Sequence, residues 1–456
     1  PVITNGTDTL TFDGNAQTGD WAHLVYVIDD SLNTATVYLN GESLGSQAIS
    51  GYTSVKNMTF VLGGDAVSGN VNYFKGKIGE VALYSTALSE TDVADIYAAG
   101  TASDADIAFW DVSSTVAGKK ITDKVGNNDL EAYTTFFDEK DEVADYAYSF
   151  AVVGDTQTLN INNGDEVAKI YDWILANKND KKIEFVMGLG DITDSDANFE
   201  WETAQSQVSK LNDVIPYTVV RGNHDSVTKI NTYFGTDAYI GQFKNDAEYY
   251  GFYADDESDI RNTYRTFTTS TGVKYLVMTL DFGPYDDVLT WADSVLSDER
   301  FADYKVVITT HAYLYNNGTT LDSAEDGAAT NYKYNGDSVN KIATNEDPNW
   351  SELSNDGDDI YDKLVSKHSN IVLVLSGHII NDEIVYRQDT YANGNVVTQM
   401  LIDPQGVDGK YNGVGLVALL YFSNDGNTIT VEYYSTVKEQ YFLRDNQFTI
   451  DVSNKN

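Results

Sequence analysis

YSFAVVGD, residues 148–155, is an apolar run that ends at the carboxylate of Asp155. The same pattern returns in EFVMGLGD (184–191), YTVVRGNHD (217–225), KVVITTH (305–311) and IVLVLSGH (371–378). The carboxyl ends of strands in an open parallel sheet line one rim, where ligands bind. A lone Asp after a strand is usually a turn residue or a helix cap. Here the pattern occurs five times, and in four cases a glycine directly precedes the polar residue. The sequence therefore predicts one binding rim formed by Asp155, Asp191, Asn223, His311 and His378.

The charge balance limits the classes of partner. The chain of 456 residues has 29 basic and 70 acidic side chains, a formal net charge of −41, which argues against nucleic acid and anionic membranes as partners. It has no cysteine, so disulfides and thiolate metal sites are excluded. No apolar run reaches the length of a membrane span. The absence of cysteine, the acidic charge and the many Tyr, Asn, Asp and Thr residues suit a bacterial protein that is secreted or at the cell surface. Because the chain starts at Pro1 without Met, we expect it to be part of a longer protein.

Residues 1–100 have the pattern of short strands joined by turns, including the hairpin turn Asn40-Gly41. The segments WAHL (21–24), VYLNG (37–41) and GKIGEVALY (76–84) resemble strands of the laminin-G/concanavalin A-like jelly roll. The resemblance implies an all-β sandwich, truncated at its N-terminus, that binds a glycan or a surface protein; a spacer is the alternative. A helix is predicted between a Ser89 cap and Gly100.

The rest of the chain divides at about Tyr146. Residues 101–145 are acidic and weakly patterned, which predicts a linker with connecting strands. Residues 146–456 alternate strands with helices, which are predicted near 165–177, 199–212, 286–297 and 358–368. Strands return after Ile384 and predict a second sheet. The aperiodic stretch 313–357 is predicted to be a substrate-facing lid with Tyr313, Tyr315 and Trp350.

The polar residues after the strands form a recognisable series. G-D-I-T-D (190–194), G-N-H-D (222–225), the single His311 and G-H (377–378) resemble the calcineurin-like metallophosphoesterase family over most of residues 146–456. The resemblance implies a four-layer αββα sandwich that hydrolyses phosphomonoesters or phosphodiesters through a metal-activated hydroxide. One or two divalent ions are implied, and Mn, Fe, Zn or Mg suits a set of Asp, His and amide oxygen without sulfur.

The resemblance also implies a role for each matching residue. Asp191 would bridge two ions, and Asp155 would bind the first. The ligands of the second ion would be Asn223, His311 and His378. His224 would give a proton to the leaving oxygen and would be oriented by Asp225.

Two positions depart from the family pattern. Gln157 stands where D-x-H has its histidine, and Ile380 stands where G-H-x-H has its second one. Gln157 can bind through its carbonyl oxygen, and Asp382 is predicted to replace the lost imidazole, with the D-P-Q segment at 403–405 as another polar contributor. Both losses fall on the first ion, so the alternative is a phosphoesterase fold with a degraded centre that serves as a surface-binding protein.

Overall fold

A computed structural model describes residues 1–4, 9–15, 20–49, 62–63, 78–112, 120–131, 136–137, 143–322, 354–407 and 413–452. The chain divides into two compact units, Pro1–Tyr133 and Thr134–Asn456. Within the described ranges, no helix combines the length and the apolar character that crossing a membrane requires.

The first unit is built from short antiparallel strands. They are β1 (Val2–Thr4), β2 (Thr9–Thr11), β3 (Leu24–Asp29), β4 (Thr34–Leu39), β5 (Glu42–Ala48), β6 (Glu80–Leu83), β7 (Ala108–Asp111), β8 (Lys120–Ile121) and β9 (Leu130–Glu131). Strands β3, β4 and β5 form one sheet. Asn40 (φ 51°) and Gly41 (φ 83°) both have positive φ, as the predicted hairpin turn requires. Helix α1 (Glu90–Ala99) has a capping box at Ser89 and a left-handed Gly100, which confirms the predicted helix.

The region predicted as a linker is partly integrated into this first unit. Strand β7 pairs with β6, and Trp110 is almost fully buried. Residues 76–77 of the predicted GKIGEVALY strand and residues 138–142 of the predicted linker lie outside the described residues.

The second unit consists of two sheets with helices on their outer faces. The first sheet has the order β10 (Phe136–Phe137), β23 (Gln440–Phe442), β22 (Thr428–Ser435), β21 (Leu416–Ser423), β11 (Tyr146–Val153), β12 (Ile183–Gly188) and β13 (Tyr217–Thr218), and β24 (Phe448–Asp451) pairs with β22. The second has the order β14 (Tyr250–Phe252), β15 (Thr263–Thr268), β16 (Lys274–Thr279), β17 (Lys305–Thr309), β18 (Ile371–Ser376), β20 (Val396–Leu401) and β19 (Val385–Thr390). The helices are α2 (Gln157–Asn177), α3 (Asn198–Val208), α4 (Val227–Phe234), α5 (Asp237–Asp246), α6 (Asp286–Leu296) and α7 (Gly357–Lys363).

Three apolar clusters hold these layers together. The central cluster joins the inner faces of the two sheets, where Phe150 and Phe185 of one sheet pack with Val277 and Leu375 of the other. A second cluster packs α2 and α3 on the first sheet, and a third packs α6 and α7 on the second. This is the predicted four-layer αββα sandwich.

The structure corrects three details of the prediction. The strands that deliver the polar residues are divided between two sheets, because β11, β12 and β13 are parallel in one and β17 and β18 are parallel in the other. The strands after residue 384 extend both sheets instead of forming a sheet of their own. Tyr313 does not face substrate, because it is fully buried and donates a 2.6 Å hydrogen bond to Gln399 Oε1. Most of the predicted lid, 323–353 with Trp350, lies outside the described residues.

Candidate metal centre

Two histidines from one sheet converge on an asparagine from the other. His311 follows β17, His378 follows β18 and Asn223 follows β13. Asn223 Oδ1 lies 3.0 Å from His311 Nε2 and 2.8 Å from His378 Nδ1. All three residues are buried. The ring contact of 2.8 Å between His311 Nδ1 and the Leu189 carbonyl leaves Nε2 of His311 for the centre, an arrangement typical of metal-binding histidines.

Asp191 joins this group from the end of β12. Its carboxylate and the two imidazoles offer donor atoms that all lie within 4.8 Å of one another, and Asp191 Oδ1 is 3.3 Å from His311 Nε2. Burial favours the neutral acid, but the contact with His311 outweighs it and holds the pKa of Asp191 well below its usual range. Asp191 (φ 42°) and His378 (φ 74°) both have positive φ, a conformation that costs energy in non-glycine residues and occurs often at functional sites.

The residues predicted to bind the first ion, Asp155 and Gln157, adjoin this group. His378 N donates to Asp155 Oδ2 at 3.0 Å, and Gln157 is the first residue of α2. Asp155 Oδ1 and Gln157 Oε1 are buried without a hydrogen-bond partner, which is costly unless something else satisfies them. Unsatisfied oxygens beside a set of Asp, Asn and His donors fit a divalent cation. The centre therefore has the donor chemistry of the predicted metal site.

Asp403 also reaches this side of the centre, although the sequence prediction gave it no definite role. It is 1% exposed and lies close enough to Asp155 for its charge to act on that carboxyl group. Burial and the Asp403 charge raise the pKa of Asp155, and burial raises the pKa of Asp403 to about 6. A local signal was present, because MLIDPQ (400–405) also ends an apolar strand at a carboxylate.

His224 lies beside the centre and is oriented by the backbone. Its ring Nδ1 is 2.7 Å from the Asp194 carbonyl oxygen. The backbone N–H of His224 donates a hydrogen bond to Asp191 Oδ1 at 3.0 Å. Burial disfavours the charged ring, but the Asp191 charge and the Asp194 carbonyl outweigh this and raise the pKa of His224 above its ordinary value. These two contacts therefore favour the protonated form of the His224 ring.

Asp225 does not make the contact that the sequence prediction gave it. Its carboxylate accepts hydrogen bonds from the backbone N–H groups of Ile192 (3.0 Å), Thr193 (2.9 Å) and Gly222 (3.0 Å), and from the Thr193 hydroxyl at 2.9 Å. These bonds tie the loop after β12 to the loop after β13. The structure thus assigns the orientation of His224 to the Asp194 carbonyl, and makes Asp225 the connector of the two loops that carry Asp191 and Asn223.

Comparison with known families agrees with this geometry. The sequence model of the calcineurin-like phosphoesterases matches residues 148–382, more than half of the chain. The chain belongs to the calcineurin-like phosphoesterase family. Membership in this family supports the prediction that the chain is a hydrolase of phosphoric esters and that its cofactors are divalent metal ions. The model of the concanavalin A-like lectin/glucanase superfamily matches residues 2–94, which confirms the resemblance inferred for the N-terminal unit.

Relatives of the phosphoesterase were also found among curated and solved proteins. The uncharacterized protein YvnB of Bacillus subtilis (strain 168) is 27% identical over 298 residues, which cover 63% of this chain and 20% of YvnB. The chain thus spans about a fifth of that relative. Two similar solved structures are a dimetal phosphatase from Danio rerio (13% identity, TM-score 0.41, 68% of this chain and 100% of that one) and the purple acid phosphatase PPD1 from yellow lupin seeds (12% identity, TM-score 0.38, 73% of this chain and 59% of that one).

The chain departs from the family pattern at the residues predicted to bind the first ion. Ile380 is 46% exposed and has no donor atom in its side chain. Asp382 is exposed, and the structure does not bring it into the group of Asp191, His311 and His378. Its backbone carbonyl instead accepts a 2.9 Å hydrogen bond from Asn446. The predicted role of Asp382 as a ligand thus gains no support from its position.

Proposed function

We propose that this chain hydrolyses small phosphomonoesters or phosphodiesters at the metal centre. The observation that carries the proposal is the convergence of Asp191, His311 and His378 within 4.8 Å beside a protonatable His224. The chain's net charge of −41 favours small substrates over polyanions such as nucleic acid.

The residues of the chain divide the work between binding and proton transfer. Divalent ions held by Asp191, Asn223, His311 and His378, when bound, would neutralise phosphoryl oxygens and activate a water nucleophile. His224 Nδ1 faces the Asp194 carbonyl at 2.7 Å, so a carbonyl acceptor fixes a proton on Nδ1. The second ring nitrogen then holds the proton that His224 gives to the departing oxygen.

The test compares hydrolysis of chromogenic phosphomonoesters and phosphodiesters with Mn²⁺ added. We expect wild-type turnover, activity at background in Asp191→Asn, and a loss of roughly 10²–10⁴-fold in His224→Ala, the range of general acid catalysis. His368→Ala is the matched control, because His368 pairs with Asp293 on a helix (Nε2 to Oδ1, 2.9 Å) and should retain full activity. A wild type that binds at most one ion and hydrolyses nothing would support the degraded-centre alternative.

We propose in addition that the protein acts outside a bacterial cell and that residues 1–100 attach it to a glycan or protein surface. The acidic, cysteine-free composition and the concanavalin A-like match support this. Trp21 is 70% exposed, and an exposed aromatic ring suits stacking on a sugar. Glycan-array binding by the full chain, compared with Trp21→Ala, tests the attachment; equal signals in both would exclude Trp21 as the contact.

A further inference from the structure

We propose that Asp403 is the missing ligand of the first ion, so that Asp155, Gln157, Asp403 and the bridging Asp191 bind a hard divalent cation through oxygen alone. Asp403 would then complete the metal centre on which the proposed function rests. It would take the place of the family histidine that Ile380 replaces.

The sheet register places Asp403 at the centre. Strand β20 runs parallel to β18, and Leu401 is aligned with Ser376. Two residues beyond this pair, Asp403 follows the end of β20 and His378 follows the end of β18. Asp403 therefore emerges at the same rim as a residue already in the centre. Gly154 lies directly against this segment, because a Cβ added there would be 2.5 Å from the Ile402 carbonyl oxygen.

A chain of side-chain hydrogen bonds fixes which atom of Gln157 faces the cation. A carboxylate only accepts hydrogen bonds, so Gln405 turns its Nε2 to Asp403 Oδ2 (3.1 Å). The Oε1 of Gln405 then accepts from Gln157 Nε2 (2.8 Å). Gln157 is left with its carbonyl oxygen for the centre. That oxygen and Asp155 Oδ1 are both buried without a hydrogen-bond partner.

The charges of this group also favour a cation. Asp155 and Asp403 are 2% and 1% exposed. Among the ion pairs of the described residues, none joins either carboxylate to a lysine or an arginine. Neighbouring buried carboxylates cannot both stay ionised without a compensating charge. Carboxylate and amide oxygens suit Mg²⁺, Mn²⁺ or Ca²⁺, whereas the imidazoles of His311 and His378 suit Zn²⁺ or Fe²⁺.

Metal counting tests the assignment independently of catalysis. The full chain is stripped with a chelator and titrated with Mn²⁺, and bound ions are counted by mass spectrometry and calorimetry. We expect two bound ions in the wild type and in Asp382→Asn. In Asp403→Asn we expect one bound ion, because the affinity of the first site for Mn²⁺ falls at least tenfold. Two ions with wild-type affinity in Asp403→Asn, or the loss of one in Asp382→Asn, would overturn the proposal.

A second variant keeps the test decisive if Asp403→Asn does not fold. Gln157→His restores the family's imidazole, so we expect the preference of the first site to shift from Mg²⁺ toward Zn²⁺ by at least tenfold; an unchanged preference would overturn the proposal. Two bound ions without turnover would refute the proposed function but not this ligand set. Turnover with the ion count unaffected by Asp403→Asn would refute the ligand set but not the function.

Discussion

Gly377→Ala should damage the metal centre through one added methyl group. A Cβ built on Gly377 would lie 2.0 Å from Asp155 Oδ1, whereas Cβ contacts under 3.0 Å essentially never occur. The Asp155 carboxylate must therefore move by about 1 Å or more. The same carboxylate accepts a hydrogen bond from His378 N at 3.0 Å, so the displacement disturbs two strand ends at once.

The expected magnitude follows from these two contacts. Forcing an extra methyl group into packed surroundings costs about 1–3 kcal/mol, and weakening a hydrogen bond to a charged group adds about 1.5–3 kcal/mol. A misplacement of about 1 Å at a catalytic centre can lower the rate roughly 10²-fold. We therefore expect a reduced free energy of unfolding, loss of the first ion, and turnover about two orders of magnitude below wild type.

Urea denaturation, metal counting and phosphoester hydrolysis measure the three effects on the same preparation. Gly241→Ala is the matched control, because α5 leaves no atom within 4 Å of a Cβ at Gly241, and alanine in a helix is about 1 kcal/mol more favourable than glycine. It should be active and slightly more stable. A Gly377→Ala protein with two ions and wild-type turnover would show that the close contact with Asp155 does not position the centre.

Two other predictions follow from the buried carboxylates. Asp225→Asn should lower the free energy of unfolding by about 2–4 kcal/mol, because an amide nitrogen would face backbone N–H donors that now bond to a carboxylate; an unchanged urea midpoint would contradict the loop-connecting role. In chelator, Asp403 holds a proton that the unfolded chain releases at its ordinary pKa, so its stabilisation is complete below about pH 4 and is lost as the pH rises through about 6. The metal-free protein should thus be about 3 kcal/mol less stable at pH 8 than at pH 4. Asp403→Asn should reduce this difference, and equal stability at both pH values in the wild type would refute it.

The local sequence pattern predicted which segments reach the centre, but not how they are arranged. Each strand that ends at Asp155, Asp191, His311 or His378 forms as expected, because an apolar run followed by a polar residue is a local signal. Whether two such strands share a sheet depends on pairing between distant segments, which no local pattern encodes. The five polar strand ends were therefore predicted on one sheet, whereas the structure divides them between two.

Helix prediction failed where apolar periodicity was weak. Helix α2 begins at Gln157, eight residues before the predicted start, because the polar segment 157–164 has no apolar stripe to mark it. Helices α4 and α5 were not predicted, although Ser226 and Thr236 cap them by accepting hydrogen bonds from the N–H groups of Lys229 and Tyr239. Capping residues were the available signal at this point of the chain.

The glycines explain why the role of Asp403 was underestimated. A glycine before a polar residue in the sequence predicts a sharp turn of the chain. Of the glycines that precede the polar residues, Gly154, Gly190, Gly222 and Gly377, only Gly190 has a positive φ (100°). At Gly222 and Gly377 the missing side chain instead makes room for a carboxylate from another strand. A Cβ at these two positions would lie 2.1 Å from Asp191 Oδ1 and 2.0 Å from Asp155 Oδ1. Such a glycine therefore marks where a neighbouring segment approaches, and not which segment it is. Gly154 makes room for the segment that carries Asp403, but Asp403 itself is preceded by Ile402 and not by a glycine. The glycine pattern therefore identifies Asp155, which follows Gly154, and misses Asp403.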